Sequence, residues 1–157
     1  CLDDPALTPR ALVAEGRARF LSRPARLPTL PSDAGAPCPV ALLTTSMGDD
    51  GRMIEAAERL GHAGLVIEGM GAGHVPADLA PLLGRLAQRV PVVLASRCLA
   101  GPVFTRSYGY PGGEIDLLER GLIPAGSLSA IKARLLLGLV LRQGGKDAVA
   151  TAFAAYQ

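Results

Sequence analysis

"GLVIEGMGAGHVP", residues 64–76, decides how the chain is read. Leu65, Val66 and Ile67 are consecutive and apolar, so a strand through them offers hydrocarbon to both of its faces. Such a strand sits inside a sheet covered on two sides, and the glycines that follow mark an abrupt exit from it. Two further stretches have the same character, "PVALLTT" at 39–45 and "VPVVLAS" at 90–96. Between them lie "GRMIEAAERLG" (51–61), a helix with Met53, Ala56, Ala57 and Leu60 on one face and Gly61 at its end, and a second helix over 77–88 opened by Pro76. Strands apolar on both faces, alternating with helices of ten or so residues, predict an α/β fold: an open parallel sheet of about four strands with helices on both faces.

Beyond the third strand, residues 97–113 are rich in glycine and aromatics and read as a loop, with a short strand at 102–106. "IDLLERG" (115–121) makes a short helix and "LIPAG" (122–126) a turn. "SLSAIKARLLLGLVLRQG" (127–144) is a helix capped by Ser127 or Ser129, followed by a terminal helix over 145–156. On the 127–144 helix, Leu128, Ile131, Leu135, Leu136 and Leu139 form the expected core stripe. Leu137, Val140 and Leu141 lie on the other side, a surface for the terminal helix or for a second subunit. On the amino-terminal side, residues 1–37 contain six prolines, at 5, 9, 24, 28, 31 and 37, and read as extended linker with one short strand in "GRARFLS" (16–22). The division is therefore 1–37 as connector and 38–157 as one α/β domain, a size that buries a proper core.

Composition excludes several classes. The chain is 49% hydrophobic and 19% charged with a net charge of +2, and its basic residues are scattered arginines, with Lys132 and Lys146 the only lysines. Nucleic acid is not an expected partner. The longest apolar run, "LLLGLVL" at 135–141, is far short of the roughly 20 residues of a membrane span, and the first ten residues are not expected to be a signal peptide. Three cysteines, Cys1, Cys38 and Cys98, suggest neither a disulfide framework nor a metal site, so a reducing, cytoplasmic compartment is expected, with no cofactor. A chain opening on cysteine suggests a piece of a longer polypeptide.

In a parallel sheet, ligands gather beyond the carboxyl ends of the strands. Three loops qualify: "TSMGDDGR" (45–52), "GMGAGHVP" (69–76) and "SRCLAGP" (96–102). The second is not a dinucleotide fingerprint, because the third glycine of G-x-G-x-x-G would fall on His74. His74 reads either as a ligand contact or as a helix-start residue bonding local backbone. Asp49 and Asp50 read as caps of the 51–61 helix rather than as an acid–base pair. Ser96 reads as turn chemistry, since no base is nominated beside it, Cys98 as a small apolar filler, and Glu114 as a first-turn acid favoured by the helix dipole. No nucleophile, base and oxyanion donors occur together, so these residues alone assemble no reaction.

The order of "GLVIEGMGAGHVP", "VPVVLASRC" and "YGYPGGEIDLLERGLIPAGSLSAIKARLLLGLVL" resembles the carboxyl-terminal domain of bacterial L-asparaginases, from about Gly16 to Gln157. The resemblance implies a flavodoxin-like domain of a two-domain amidohydrolase that converts L-asparagine to L-aspartate and ammonia, with some activity on L-glutamine. In that family the nucleophilic threonine, a second threonine, an aspartate and a lysine belong to the amino-terminal domain, so no catalytic residue is expected in this chain, and it is expected to be inactive alone. The second domain of a neighbouring subunit completes the family's site, which implies a homodimer or homotetramer. His74 falls where many members have the asparagine of "GAGN", near the bound amino acid, and departs from that pattern. Glu114 falls where periplasmic members place a glutamate that reaches the substrate's α-amino group. Two other readings stand beside this one: a free-standing flavodoxin-like small-molecule binding module, and the related glutamine-hydrolysing subunit of a tRNA amidotransferase.

Overall fold

The computed structural model describes residues 11–21, 27–31 and 35–156. The expectations for residues 1–10, 22–26, 32–34 and 157 lie outside these, including those on Cys1, Pro5, Pro9 and Pro24. Two strands, β1 (Ala11–Ala14) and β2 (Arg17–Phe20), form an antiparallel hairpin. Its two-residue turn, Glu15 and Gly16, has positive φ at both positions, the mirror-image turn geometry that matches strand twist. The sequence predicts a strand near β2; its partner β1 is hidden because "ALVA" carries no turn or alternation signal of its own. Residues 27–31 lie against the α/β domain. Leu30 packs on the core, Gln143 Nε2 donates to Pro31 O at 2.7 Å, and Tyr156 Oη donates to Pro28 O at 2.6 Å.

The main sheet follows: β3 (Val40–Thr44), α1 (Arg52–Arg59), β4 (Gly64–Gly69), a single 3₁₀ turn at Ala77–Leu79 leading into α2 (Ala80–Arg89), β5 (Val92–Ser96), α3 (Glu114–Glu119), β6 (Ile123–Pro124), α4 (Ala130–Gly144), and, after a second 3₁₀ turn, α5 (Val149–Ala154). All four strands are parallel and their spatial order is β3-β4-β5-β6, the order of the chain. The expected parallel α/β sheet is present, with its fourth strand in a different place. Residues 102–106 form no strand, and the "LIPAG" turn instead contributes β6, paired with Val93 and Leu94.

Alternation along the strands divides the core in two. Leu65, Ile67, Val92 and Leu94 point to the layer of α1, α2 and α3, where they meet Ile54, Leu79, Leu83, Leu86 and Leu117. Val66, Val93 and Ala95 point to α4 and α5, where they meet Ala133, Leu137, Val149 and Phe153. Each fully buried aliphatic side chain contributes about 1.5–3 kcal/mol, so the central strands anchor both layers.

The faces of two helices differ from the expected ones. On α1 the buried residues are Ile54 and Ala57, while Met53 and Leu60 are exposed. On α4 the buried residues are Ala130, Ala133, Leu136, Leu137 and Val140, whereas Ile131 and Leu135, assigned to the core stripe, are 66% and 59% exposed. The small Ala130 and Ala133 sit against the sheet, and Leu137, Val140 and Leu141 cluster with Val149 and Phe153 of α5, the terminal-helix alternative of the two expected for that side. Among the described residues, no helix is long and apolar enough to cross a membrane.

Candidate functional site

Because the strand order never reverses, the sheet offers no switch-point crevice. The candidate site lies where two loops meet at the carboxyl rim, 69–76 after β4 and 104–114 before α3. The first loop is anchored at the strand ends: Arg97 N donates to Gly69 O at 3.0 Å, and Ser96 Oγ donates to Gly71 O at 2.5 Å. It then folds back on itself, Met70 and His74 pairing as an isolated bridge. A Cβ on Gly69 would lie 2.7 Å from His74 O, so only glycine lets the chain close this tightly.

The second loop is tied to the first through Val75 N, which donates to Gly112 O at 2.9 Å. Gly112 has φ +83°, and a Cβ there would overlap the Val75 carbonyl oxygen. The glycines of "GMGAGH" and "YPGG" are therefore needed for the close approach of one loop to the other, more than for mobility.

That approach brings His74 to Glu114. His74 Nδ1 lies 3.7 Å from Glu114 Oε2, with the histidine side chain 16% exposed and the glutamate fully buried. Glu114 opens α3, as expected of a first-turn acid, but its carboxylate turns back over the preceding loop. Oε1 accepts from Ser107 N at 2.9 Å and from Tyr108 N at 2.8 Å. Oε2 is buried and has no hydrogen-bond partner. Burial pushes this carboxyl up, but the N–H groups of Tyr108 and Ser107, its own N–H and the neighbouring His74 outweigh that and hold it below its ordinary value. The result is a carboxylate with one satisfied and one vacant oxygen, an arrangement suited to a cationic donor such as an ammonium.

The surroundings are aromatic. His74 stacks on Tyr110, with ring centroids 5.4 Å apart, and meets Tyr108 edge-on at 5.1 Å, while Phe104 stacks on Tyr108. Tyr110 Oη lies 3.0 Å from His74 Nδ1. The His74 side chain is thus held by a side chain of the other loop, while its main chain bonds locally to Met70. Neither Tyr108 nor Tyr110 stands out from sequence reasoning. The one available signal is the dense run "YGYPGGE" that leads directly into Glu114.

The remaining candidates stay apart from this pair. Asp49 Oδ2 accepts from Ser46 N, and Asp50 accepts from Arg52 N and pairs with its guanidinium at 2.6 Å. The Arg52 N–H, and after it the guanidinium, hold the Asp50 carboxyl below its usual value. These bonds stay inside 46–52, as turn chemistry would; Gly51 is the N-cap of α1 and receives no side-chain cap bond. Ser96 also accepts from Cys98 N at 3.0 Å, which fits turn chemistry. Cys98 is exposed and not the apolar filler expected, because its loop stands clear of the core. Ser129 begins α4 but makes no capping side-chain bond. Among the described residues, no three acidic, histidine or cysteine side chains converge as metal donors.

Comparison with known proteins adds the family. The model of the glutaminase/asparaginase C-terminal domain matches residues 39–153. A probable L-asparaginase of Deinococcus radiodurans is 51% identical over 81 residues, covering 52% of this chain and 24% of the relative. An L-asparaginase of Bacillus licheniformis is 35% identical over 112 residues, 69% of this chain and 34% of the relative. A subunit of the glutamyl-tRNA(Gln) amidotransferase of Thermococcus kodakarensis is 36% identical over 103 residues, 65% of this chain and 23% of the relative. The chain thus matches about a quarter to a third of the length of these relatives. With the parallel sheet and the family match in agreement, this chain belongs to the glutaminase/asparaginase C-terminal domain family.

Proposed function

We propose that residues 38–157 form the substrate-positioning half of an L-asparaginase, that 1–37 connect it to a catalytic domain, and that Glu114 and His74 are its substrate-binding residues. The carrying observation is the vacant Glu114 Oε2 on an ionised, buried carboxylate at the sheet's carboxyl rim. The α-ammonium of L-asparagine supplies the donors this oxygen lacks, while the substrate amide is presented to a nucleophile outside this chain. Among the described residues, no serine, threonine or cysteine side chain hydrogen-bonds to a histidine or lysine; Thr44 Oγ1 donates to the Glu68 carboxylate at 2.6 Å. A cytoplasmic homodimer or homotetramer, in which this domain meets a neighbouring copy's catalytic domain, completes the proposal.

The division of labour explains why an amino-acid pocket needs this domain at all. A fixed carboxylate orients the substrate before the bond-breaking step, which converts a loose encounter into a near-attack geometry. In the intact gene product, Glu114→Ala is expected to raise KM for L-asparagine roughly tenfold with a smaller change in kcat, since the contact is made in ground and transition states alike. Steady-state ammonia release measures it, and unchanged kinetics would remove Glu114 from the site. The 157-residue chain by itself is expected to release no ammonia from L-asparagine. L-glutamine in the same assay tests the amidotransferase-like alternative: a glutamine preference in the intact protein would favour it.

A further inference from the structure

The chain has two histidines, and their Nδ1 atoms face different partners. His62 Nδ1 lies 2.9 Å from Ala57 O. A carbonyl can only accept, so His62 carries its proton on Nδ1 when neutral. His74 Nδ1 faces two oxygens, Tyr110 Oη at 3.0 Å and Glu114 Oε2 at 3.7 Å. The phenol can donate or accept; the carboxylate, being ionised, can only accept.

An Nδ1–H on His74 would be drawn to the vacant carboxylate oxygen, the stronger acceptor and the one that burial leaves costly. The separation of 3.7 Å is beyond hydrogen-bond length, and the ring sits on the phenol instead. This is the geometry of Tyr110 donating to a bare Nδ1. We infer that Tyr110 is a positioning residue: its hydroxyl fixes neutral His74 as the Nε2–H tautomer and thereby keeps Glu114 Oε2 free of an internal donor. The titratable groups in contact with the imidazole are Glu114 of α3 and the Tyr108 and Tyr110 phenols of the loop before it. Of these, only Tyr110 is within hydrogen-bond distance of Nδ1.

The role rests on the reading of Glu114 as the ammonium site. A histidine beside that carboxylate is a competitor for it, because an Nδ1–H swung toward Oε2 would occupy the position a ligand ammonium needs. Tyr110 removes the competition without adding charge. It leaves His74 Nε2–H, the ring's second nitrogen, as the only donor of the neutral imidazole.

The test has two arms. In the 157-residue chain labelled with ¹⁵N-histidine, at a pH near 8 where an ordinary imidazole is neutral, His62 should show the Nδ1–H pattern and His74 the Nε2–H pattern. Tyr110→Phe should convert His74 to Nδ1–H and leave His62 unchanged. An Nδ1–H pattern on His74 in the unmodified chain, or no change in the variant, overturns the inference whatever the activity shows. In the intact gene product, Tyr110→Phe should raise KM for L-asparagine about fivefold with kcat kept within about twofold. That increase should vanish in a His74→Ala background, a coupling that a purely structural tyrosine would not produce. Equal increases in both backgrounds overturn the role. Should Glu114→Ala leave KM unchanged, the substrate reading fails, while the tautomer arm still decides for or against Tyr110.

Discussion

The centre of the sheet and its carboxyl rim answer to opposite demands, although they are a few residues apart. At the centre, Leu65, Val66, Ile67, Val92, Val93 and Leu94 are fully buried hydrocarbon on strands whose backbone is paired on both sides. At the rim, Glu114 is equally buried, but it is charged and has one oxygen vacant. The first arrangement gives stability; the second costs some of it, because a buried charged oxygen is left without a donor. The rim can hold this costly arrangement because the first of its loops is fastened to the ends of β4 and β5, and the second is fastened to the first.

The largest expected effect lies at the centre. Leu94→Ala should lower the unfolding free energy by about 3 kcal/mol through lost burial and the cavity left behind, read from denaturant midpoints. A loss below about 1 kcal/mol would show that the centre is less tightly packed than the contrast requires. Next comes the junction between the two loops. Gly112→Ala puts a methyl onto the Val75 carbonyl at a left-handed φ and should cost about 2 kcal/mol. It should also part His74 from Glu114, abolishing the Tyr110-dependent histidine tautomer.

The smallest effect sharpens the comparison through pH. The folded state holds the Glu114 carboxyl below its ordinary value of 4.5, so the group adds stability above that pH and loses it as pH falls through the lower folded value. Glu114→Gln should flatten this part of the acid limb in thermal melts. An unchanged acid limb would mean that the main-chain donors do not favour the ionised form.

How much of this is legible from the residues depends on where the information lies. The strands β3, β4 and β5 announce themselves because runs apolar on both faces have few alternatives. The strand β6 does not: it is two residues long and includes Pro124, so only its neighbour Val93–Leu94 defines it. On α1 and α4 the expected faces differ from the real ones because side-chain size is a poor guide to burial beside a sheet. On α4 the sheet is met by Ala130 and Ala133, whose small size permits close packing, and Ile131 and Leu135 are left outside. His74 can be nominated from its loop at the strand's end, but Glu114 joins it only by family resemblance, since they are 40 residues apart and nothing local to either predicts their meeting. Tyr110 is hidden for the same reason: its role is set by the Val75–Gly112 register between loops, which no single stretch encodes.

The unreversed strand order has a consequence for biosynthesis. Each strand of the main sheet pairs with its predecessor, so contacts form over short separations and the sheet can be laid down in the order in which the ribosome delivers it. The α1–α3 side is covered as it grows, but the side bearing Val66, Val93 and Ala95 waits for α4 and α5. Until those last two helices emerge, a nascent chain carries a bare hydrocarbon surface, the period in which it most needs a chaperone.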